Sequence, residues 1–207
     1  MEFWDIYDEN KQLTGCKMKR NDWCLKEGEY HLTVLGVIAR PDGTFLITKR
    51  VMTKAWAPGW WEVSGGGVQA GESSEEAVRR EVKEETGLDV RNAEGGYAFT
   101  YKRVNPDEGD NYFVDVYRFV MDIDEKDVSF QEAEIDGNMF ATRELLQKWL
   151  KSNKPVSDML EQYREDALVE QNISDNFRNY IDAWKKDELG QYLSLIHISE
   201  PTRQAEI

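Results

Sequence analysis

An α+β domain with a helical extension at its C-terminal end is what this sequence calls for. Three observations lead there. Runs rich in β-branched and aromatic residues, HLTVLGVIA (31–39), FLITKR (45–50) and NYFVDVYRFVMDI (111–123), have the length and composition of sheet strands. A single helix with clear start and stop signals sits between them, at 74–86. After Pro155 the chain turns to polar, weakly amphipathic helical pattern. At 207 residues the length suits one domain with an appendage.

Taken in chain order, WDIYDENKQLTG (4–15) reads as a short hairpin, with Asp8 to Asn10 supplying the turn. The 31–39 run ends at the PDG turn of Pro41 to Gly43, which makes 45–50 its expected pairing partner. A loop holding Trp56, Pro58, Gly59, Trp60 and Trp61 leads through EVS to Gly65, Gly66 and Gly67. Ser73 or Ser74 can cap the helix, which runs to about Thr86 and stops at Gly87. YAFTYKR (97–103) and the 111–123 run are strands around a polar loop, PDEGD. TRELLQKWL (142–150) is a helix begun by Thr142, with Leu145, Leu146 and Trp149 on one stripe. Two further helices, 156–168 and 174–189, form the extension; there is no internal repeat. The expected division is thus a domain over 1–152 that includes the hairpin, an extension over 153–192, and a tail over 193–207.

That tail is read as foreign. Leu193 to Arg203, LSLIHISEPTR, resembles the in-frame translation of a transposon-type sequencing adapter, with Gln204 to Ile207 as index sequence. Setting it aside removes Glu200, Glu206 and Arg203 from the 40 acidic and 26 basic residues and leaves 38 and 25, a net charge of −13 instead of −14. It also removes His197, so His31 is the one histidine left for chemistry.

The acidic balance argues against bulk nucleic-acid binding, because such a surface repels a phosphate backbone. A small anion remains admissible, since a metal ion can reverse the local field. The start, MEFWDIYDEN, has neither a basic leader nor an apolar core, and no run of eighteen apolar residues occurs. A soluble, cytoplasmic protein without membrane contact is expected. Cys16 and Cys24 lack zinc or CxxC spacing and are read as free thiols.

The helix poses the chemical question. GGGVQAGESSEEAVRREVKEETGL (65–88) holds six Glu and little apolar surface. At about 100° per residue, Glu81, Glu84 and Glu85 lie at roughly 0°, 300° and 40° and share one face, with Cβ atoms about 5–6 Å apart. Two unit charges about 6 Å apart repel by roughly 2.8 kcal/mol at an effective dielectric near 20. Water can relax such repulsion on an exposed face. Here, however, Gly65, Gly66 and Gly67 let backbone approach a ligand closely, Glu72 stands just before the helix, and Arg80 can brace a carboxylate. Something positive is expected at this face.

Gly66, Glu72, Arg80, Glu81, Val82, Glu84, Glu85, Gly87 and Leu88 fill every fixed position of the pattern G(x5)E(x7)REU(x)EE(x)GU, with U aliphatic. On these nine positions the chain resembles the Nudix hydrolase superfamily. The resemblance implies a Nudix fold, an α/β/α sandwich with a mixed β-sheet between helices. It also implies Mg²⁺- or Mn²⁺-dependent cleavage of a diphosphate linked to another group, by a family that often dimerises as a homodimer. Hard oxygen donors suit such cations. By the same resemblance Glu84 and Glu85 are metal ligands, and Glu81 is a ligand or the base that orients water. Glu72 shapes the loop or helps a metal, and Arg80 holds the Glu side chains. Glu134, with Glu132 as the alternative, is the expected additional ligand.

Lys49 and Arg50 end their strand near the presumed site and Lys54 follows, so each is a candidate for substrate phosphates or a plain surface cation. Trp56, Trp60, Tyr101 and Tyr112 could stack on a base, though aromatics more often pack. Residues 4–90 are further similar to the isopentenyl-diphosphate isomerase branch of the superfamily. His31 matches a metal-ligand histidine of that branch in position, but its Cys and neighbouring His are missing: the corresponding loop is Ser64, Gly65, Gly66, Gly67. Isomerase chemistry is hard to write without that thiol. The expected activity is therefore hydrolysis of a nucleoside-diphosphate-type or other small organic diphosphate, with an isomerase-like enzyme and a silent ligand-binding module as alternatives.

Overall fold

The computed structural model describes residues 2–53, 59, 61–104, 109–130 and 135–142. Within them a hairpin, β1 (Phe3–Tyr7) with β2 (Leu13–Lys19), precedes β3 (His31–Ala39) and β4 (Phe45–Arg50). There follow β5 (Trp61–Glu62), β6 (Ser64–Gly67), the helix α1 (Ser74–Thr86), β7 (Glu94–Arg103), β8 (Tyr112–Val120) and β9 (Ile135–Ala141). The expected helices at 142–150, 156–168 and 174–189, and the tail from 193, lie outside the described residues.

The sheet is mixed. β3 runs parallel to β8 in unbroken register from His31 opposite Tyr112 to Ala39 opposite Val120, and β7 lies antiparallel to β8. Every residue of β3 is buried, and all of β8 except Val120, as expected for central strands covered on both faces. α1 packs on one of those faces. It contributes Ala77, Val78 and Val82, none with measurable exposure, to a core with Leu32, Val34, Ile38, Phe113 and Phe119. Burying each valine is worth roughly 1.5–3 kcal/mol, which is how a helix with so short an apolar stripe stays docked. The helix comes close because Gly36 makes room: a Cβ there would stand 2.6 Å from Val82 Cγ2.

Local signals hold α1 at both ends. The Ser73 hydroxyl accepts from the Glu76 amide at 3.2 Å while the Ser73 amide donates to Glu76 Oε2 at 2.9 Å, a reciprocal cap. Gly87 closes the helix in the left-handed region, φ 72°, with its amide on the Lys83 carbonyl at 3.0 Å. In the hairpin turn, Asp8 Oδ1 accepts from the amides of Asn10 and Gln12, both at 2.9 Å.

β3 and β4 pair antiparallel, as expected, where Ala39 faces Phe45; along the rest of β4 the partners are β5 and β9. Other expectations need correction. The glycines after EVS are not loop but strand β6, antiparallel to Thr33–Gly36 of β3. The stretch Ile135–Ala141 is a strand of the same sheet. β7 also begins earlier, at Glu94, and β8 ends earlier, at Val120.

Candidate active site

The carboxylates of α1 meet the sheet at β6, and the glycines there are required by what presses against them. A Cβ on Gly66 would occupy the space of the Glu81 carboxylate, and one on Gly67 would stand 2.7 Å from the Trp4 indole. The Gly65 amide donates to Glu85 Oε2 at 3.2 Å. Gly65 and Gly66 therefore do lie at the carboxylate cluster, with their backbone against it.

Arg80 organises the acidic side chains. Its Nε and Nη2 fork onto Glu72 at 2.9 and 2.8 Å, and Nη1 reaches Glu81 Oε1 at 2.6 Å and Glu84 Oε2 at 3.6 Å. Nη2 also donates to the Gly67 carbonyl at 3.2 Å. The hydrogen bonds it donates to Glu72, only partly offset by burial, raise the guanidinium above its ordinary pKa, so it stays charged at every working pH. Glu72 in turn accepts from the Gln69 amide at 3.0 Å, which shapes the loop into α1.

Glu81 and Glu85 are unlike Glu84. Burial raises the Glu81 carboxyl, opposed in part by Arg80. Glu85 is pushed well above the usual carboxylate range, first by burial and then by the charges of Glu62 and Glu81, against which the Gly65 amide and Ser64 hydroxyl work. Glu84 leaves 51 % of its side chain exposed. Glu62 is a participant that the sequence reasoning missed. It lies on β5, opposite Thr48 of β4, and its charge bears on Glu85. Nothing in the fixed pattern points to it, because it precedes Gly66; the signal available was its place between a strand and the glycines.

Arg50 reaches this cluster but pairs with Glu62, at 2.7 Å, so its first role is to balance that carboxylate. Lys49 lies on β4 opposite Trp61 and Gly137, and among the described residues no hydrogen bond or ion pair joins it to the acidic group. Tyr101 and Tyr112 are packing residues: burial raises the Tyr101 hydroxyl well above its ordinary pKa, and Tyr112 lies 5.1 Å from the His31 ring. His31, only 4 % exposed, stacks on Trp4 at 4.5 Å and shares a 3.2 Å contact with Asp110 through Nε2. Glu132, Glu134, Lys54, Trp56 and Trp60 lie outside the described residues.

Among the described residues no three His, Cys, Asp or Glu side chains stand ready-made around a metal position. The donor set nevertheless fits a hard divalent cation. Glu81, Glu84 and Glu85 are carboxylates on one helical face, and the crowding that holds the Glu85 proton is what a cation would relieve. In this structure Arg80 draws Glu81 and Glu84 to itself.

The NUDIX domain model matches residues 29–160. The chain belongs to the Nudix hydrolase superfamily. An uncharacterized Nudix hydrolase of Listeria monocytogenes is 34 % identical over 148 residues, covering 71 % of this chain and 83 % of that protein. A nucleoside triphosphatase, NudI of Escherichia coli, is 44 % identical over 55 residues, 27 % of this chain and 39 % of that protein. In fold, the chain is similar to DR0079 from Deinococcus radiodurans, with TM-score 0.61 at 23 % identity over 79 % of this chain and all of that one. It is also similar to a MutT protein from Methanosarcina mazei, with TM-score 0.53 at 22 % identity, covering 74 % and 91 %. The Nudix fold and a hydrolase acting on phosphorus-containing anhydrides follow from this membership. Among the described residues no helix is long and apolar enough to cross a membrane.

Proposed function

We propose that this Nudix hydrolase cleaves the diphosphate linkage of a nucleoside-diphosphate-type or other small organic diphosphate, with Mg²⁺ or Mn²⁺ held by Glu81, Glu84 and Glu85. The observation that supports the reading is the packing of Glu81 and Glu85 against Gly66 and the Gly65 amide, on an Arg80-braced loop. When bound, the cation would neutralise phosphate charge and acidify a water for attack on phosphorus. Arg80 and Glu72 hold the loop and the helix face in register. The Gly65 and Gly66 backbone lets the Glu85 and Glu81 carboxylates close against β6. Glu81, held by Arg80 at 2.6 Å, is the further ligand or the base that would orient the attacking water. Glu134 is proposed as an additional ligand. A cytoplasmic location and a homodimer belong to the same reading.

The isomerase alternative finds no support at the site, because Ser64 and the three glycines stand where the thiol would be needed. The NudI relative is named a nucleoside triphosphatase, which puts nucleoside triphosphates on the test panel. Phosphate release with Mg²⁺ should be measured on nucleoside triphosphates, ADP-ribose and isopentenyl diphosphate. Turnover of at least one of the first two, abolished by chelator, is expected. Isomerisation of isopentenyl diphosphate without phosphate release, or ligand binding without any turnover, would overturn the reading.

A further inference from the structure

The family match begins at residue 29, so the β1–β2 hairpin lies outside it. The hairpin is nonetheless built into the carboxylate site. The Ala70 amide donates to the Phe3 carbonyl at 2.8 Å and the Gly71 amide to Asp5 Oδ2 at 2.6 Å, so β1 holds the loop that leads from β6 into α1. Trp4 covers Gly67 and stacks on His31. At the far end Lys11 pairs with the buried Asp115 and donates to Thr100 Oγ1 at 3.1 Å, which anchors the turn to the sheet.

The residue that leaves β2 is Arg20. Its amide donates to the Glu2 carbonyl at 3.1 Å, and its Nη1 meets Glu2 Oε2 at 2.8 Å, while Glu2 Oε1 accepts from Trp4 Nε1 at 2.9 Å. Glu2 and Trp4 thus aim the Arg20 side chain, of which 56 % remains exposed. That places it beside the head of α1: Trp4, which is tied to Glu2, packs on Gly67, the Gly67 carbonyl accepts from Arg80 Nη2 at 3.2 Å, and the neighbouring Gly66 meets the Glu81 carboxylate. A guanidinium has five N–H donors, more than one carboxylate can take.

The charge balance explains why this matters. Arg80, Arg50 and Arg20 each pair with a carboxylate, but Arg20 keeps 56 % of its side chain exposed against 23 % for Arg80 and 19 % for Arg50, so it has the most donor surface left for a ligand. A diphosphate brings more negative charge than one divalent cation cancels, and it needs a cation from elsewhere.

We propose that the β1–β2 hairpin is a working part of the active site and that Arg20 contacts the phosphates of the bound substrate, with Glu2 and Trp4 as its positioning residues. This rests on the hydrolase reading above. Arg20 sets substrate affinity and is not needed for the carboxylates to hold a cation.

The test is calorimetric titration of the full chain, saturated with Mn²⁺, with imidodiphosphate, whose P–N–P bridge resists hydrolysis. Arg20→Gln should weaken binding about tenfold or more, and Arg20→Lys, which keeps the charge but not the fork, should fall between. Mn²⁺ affinity without imidodiphosphate should be no weaker than in the wild type. On any panel compound that is turned over, KM should rise with kcat nearly unchanged. Melting temperatures should match the wild type within about 2 °C, because an exposed ion pair contributes little. Wild-type imidodiphosphate affinity in folded Arg20→Gln, alongside loss of binding in Glu85→Gln, would overturn the proposal and leave the hydrolase reading standing. No imidodiphosphate binding by the Mn²⁺-saturated wild type would overturn both.

Discussion

Replacing Glu85 by Gln removes one charge from the most crowded position on α1 and keeps its shape. Burial, Glu62 and Glu81 all hold the folded Glu85 carboxyl above its unfolded value. The folded protein therefore retains a proton that the unfolded chain releases, and stability falls as pH rises from the unfolded pKa toward the folded one. At pH 7 the ionised side chain costs stability that the amide does not. One repulsion at about 6 Å amounts to roughly 2.8 kcal/mol at an effective dielectric near 20. Gln still accepts from the Gly65 amide, but a charge-assisted bond becomes a neutral one, a loss on the order of 1 kcal/mol. The metal-free Glu85→Gln protein should thus be about 1–2 kcal/mol more stable than wild type at pH 7, measured by urea unfolding with EDTA present. The gain should shrink toward pH 4, where the wild-type carboxyl carries its proton. Mg²⁺ should then reverse the order, stabilising the wild type and not the variant, and turnover of the variant should fall by about a hundredfold or more. Equal stability at pH 7, or a gain that does not change with pH, would refute the crowding argument.

Gly66→Ala should lower kcat strongly, because the new Cβ claims the space of the Glu81 carboxylate; kinetics and a crystal structure of the variant would check the displacement. Arg80→Lys loses the fork onto Glu72 and should cost about 1–3 kcal/mol in urea unfolding and about tenfold or more in kcat/KM. Ser73→Ala removes a helix cap only, and should cost about 1 kcal/mol of stability with kcat unchanged at a temperature where the variant is folded.

Local chemistry made much of this molecule legible in its sequence. β3 and β4 are bounded as their β-branched runs suggest, and α1 starts at the Ser73 cap and stops at Gly87 because the backbone hydrogen bonds at its two ends need those residues. The carboxylates were legible for the same reason, since helical spacing alone puts Glu81 and Glu85 on one flank. What escaped depends on tertiary neighbours. β6 is three glycines after a serine, with no intrinsic strand preference; it is a strand because β3 pairs with it while Trp4 and Glu81 press where side chains would be. β9, IDGNMFA, carries Asp, Gly and Asn, which strands disfavour, and its pairing with β4 decides its form. The β3–β4 pairing that the PDG turn suggests is present at Ala39 and Phe45, while β6 occupies the same side of β3 along Thr33–Gly36, which no local signal announces. Glu62 and Arg50 meet only because β4 and β5 are paired, and Arg20 is tied through Glu2 and Trp4 to β6 only because the hairpin folds back onto it.

The most direct measurement is calorimetric titration of the metal-free wild type and of Glu85→Gln with Mn²⁺ at pH 7. Saturable uptake by the wild type, with proton release and at least a tenfold loss in the variant, is the predicted result. No uptake by the wild type, or equal uptake by both proteins, would contradict the assignment of the cation to these helical carboxylates.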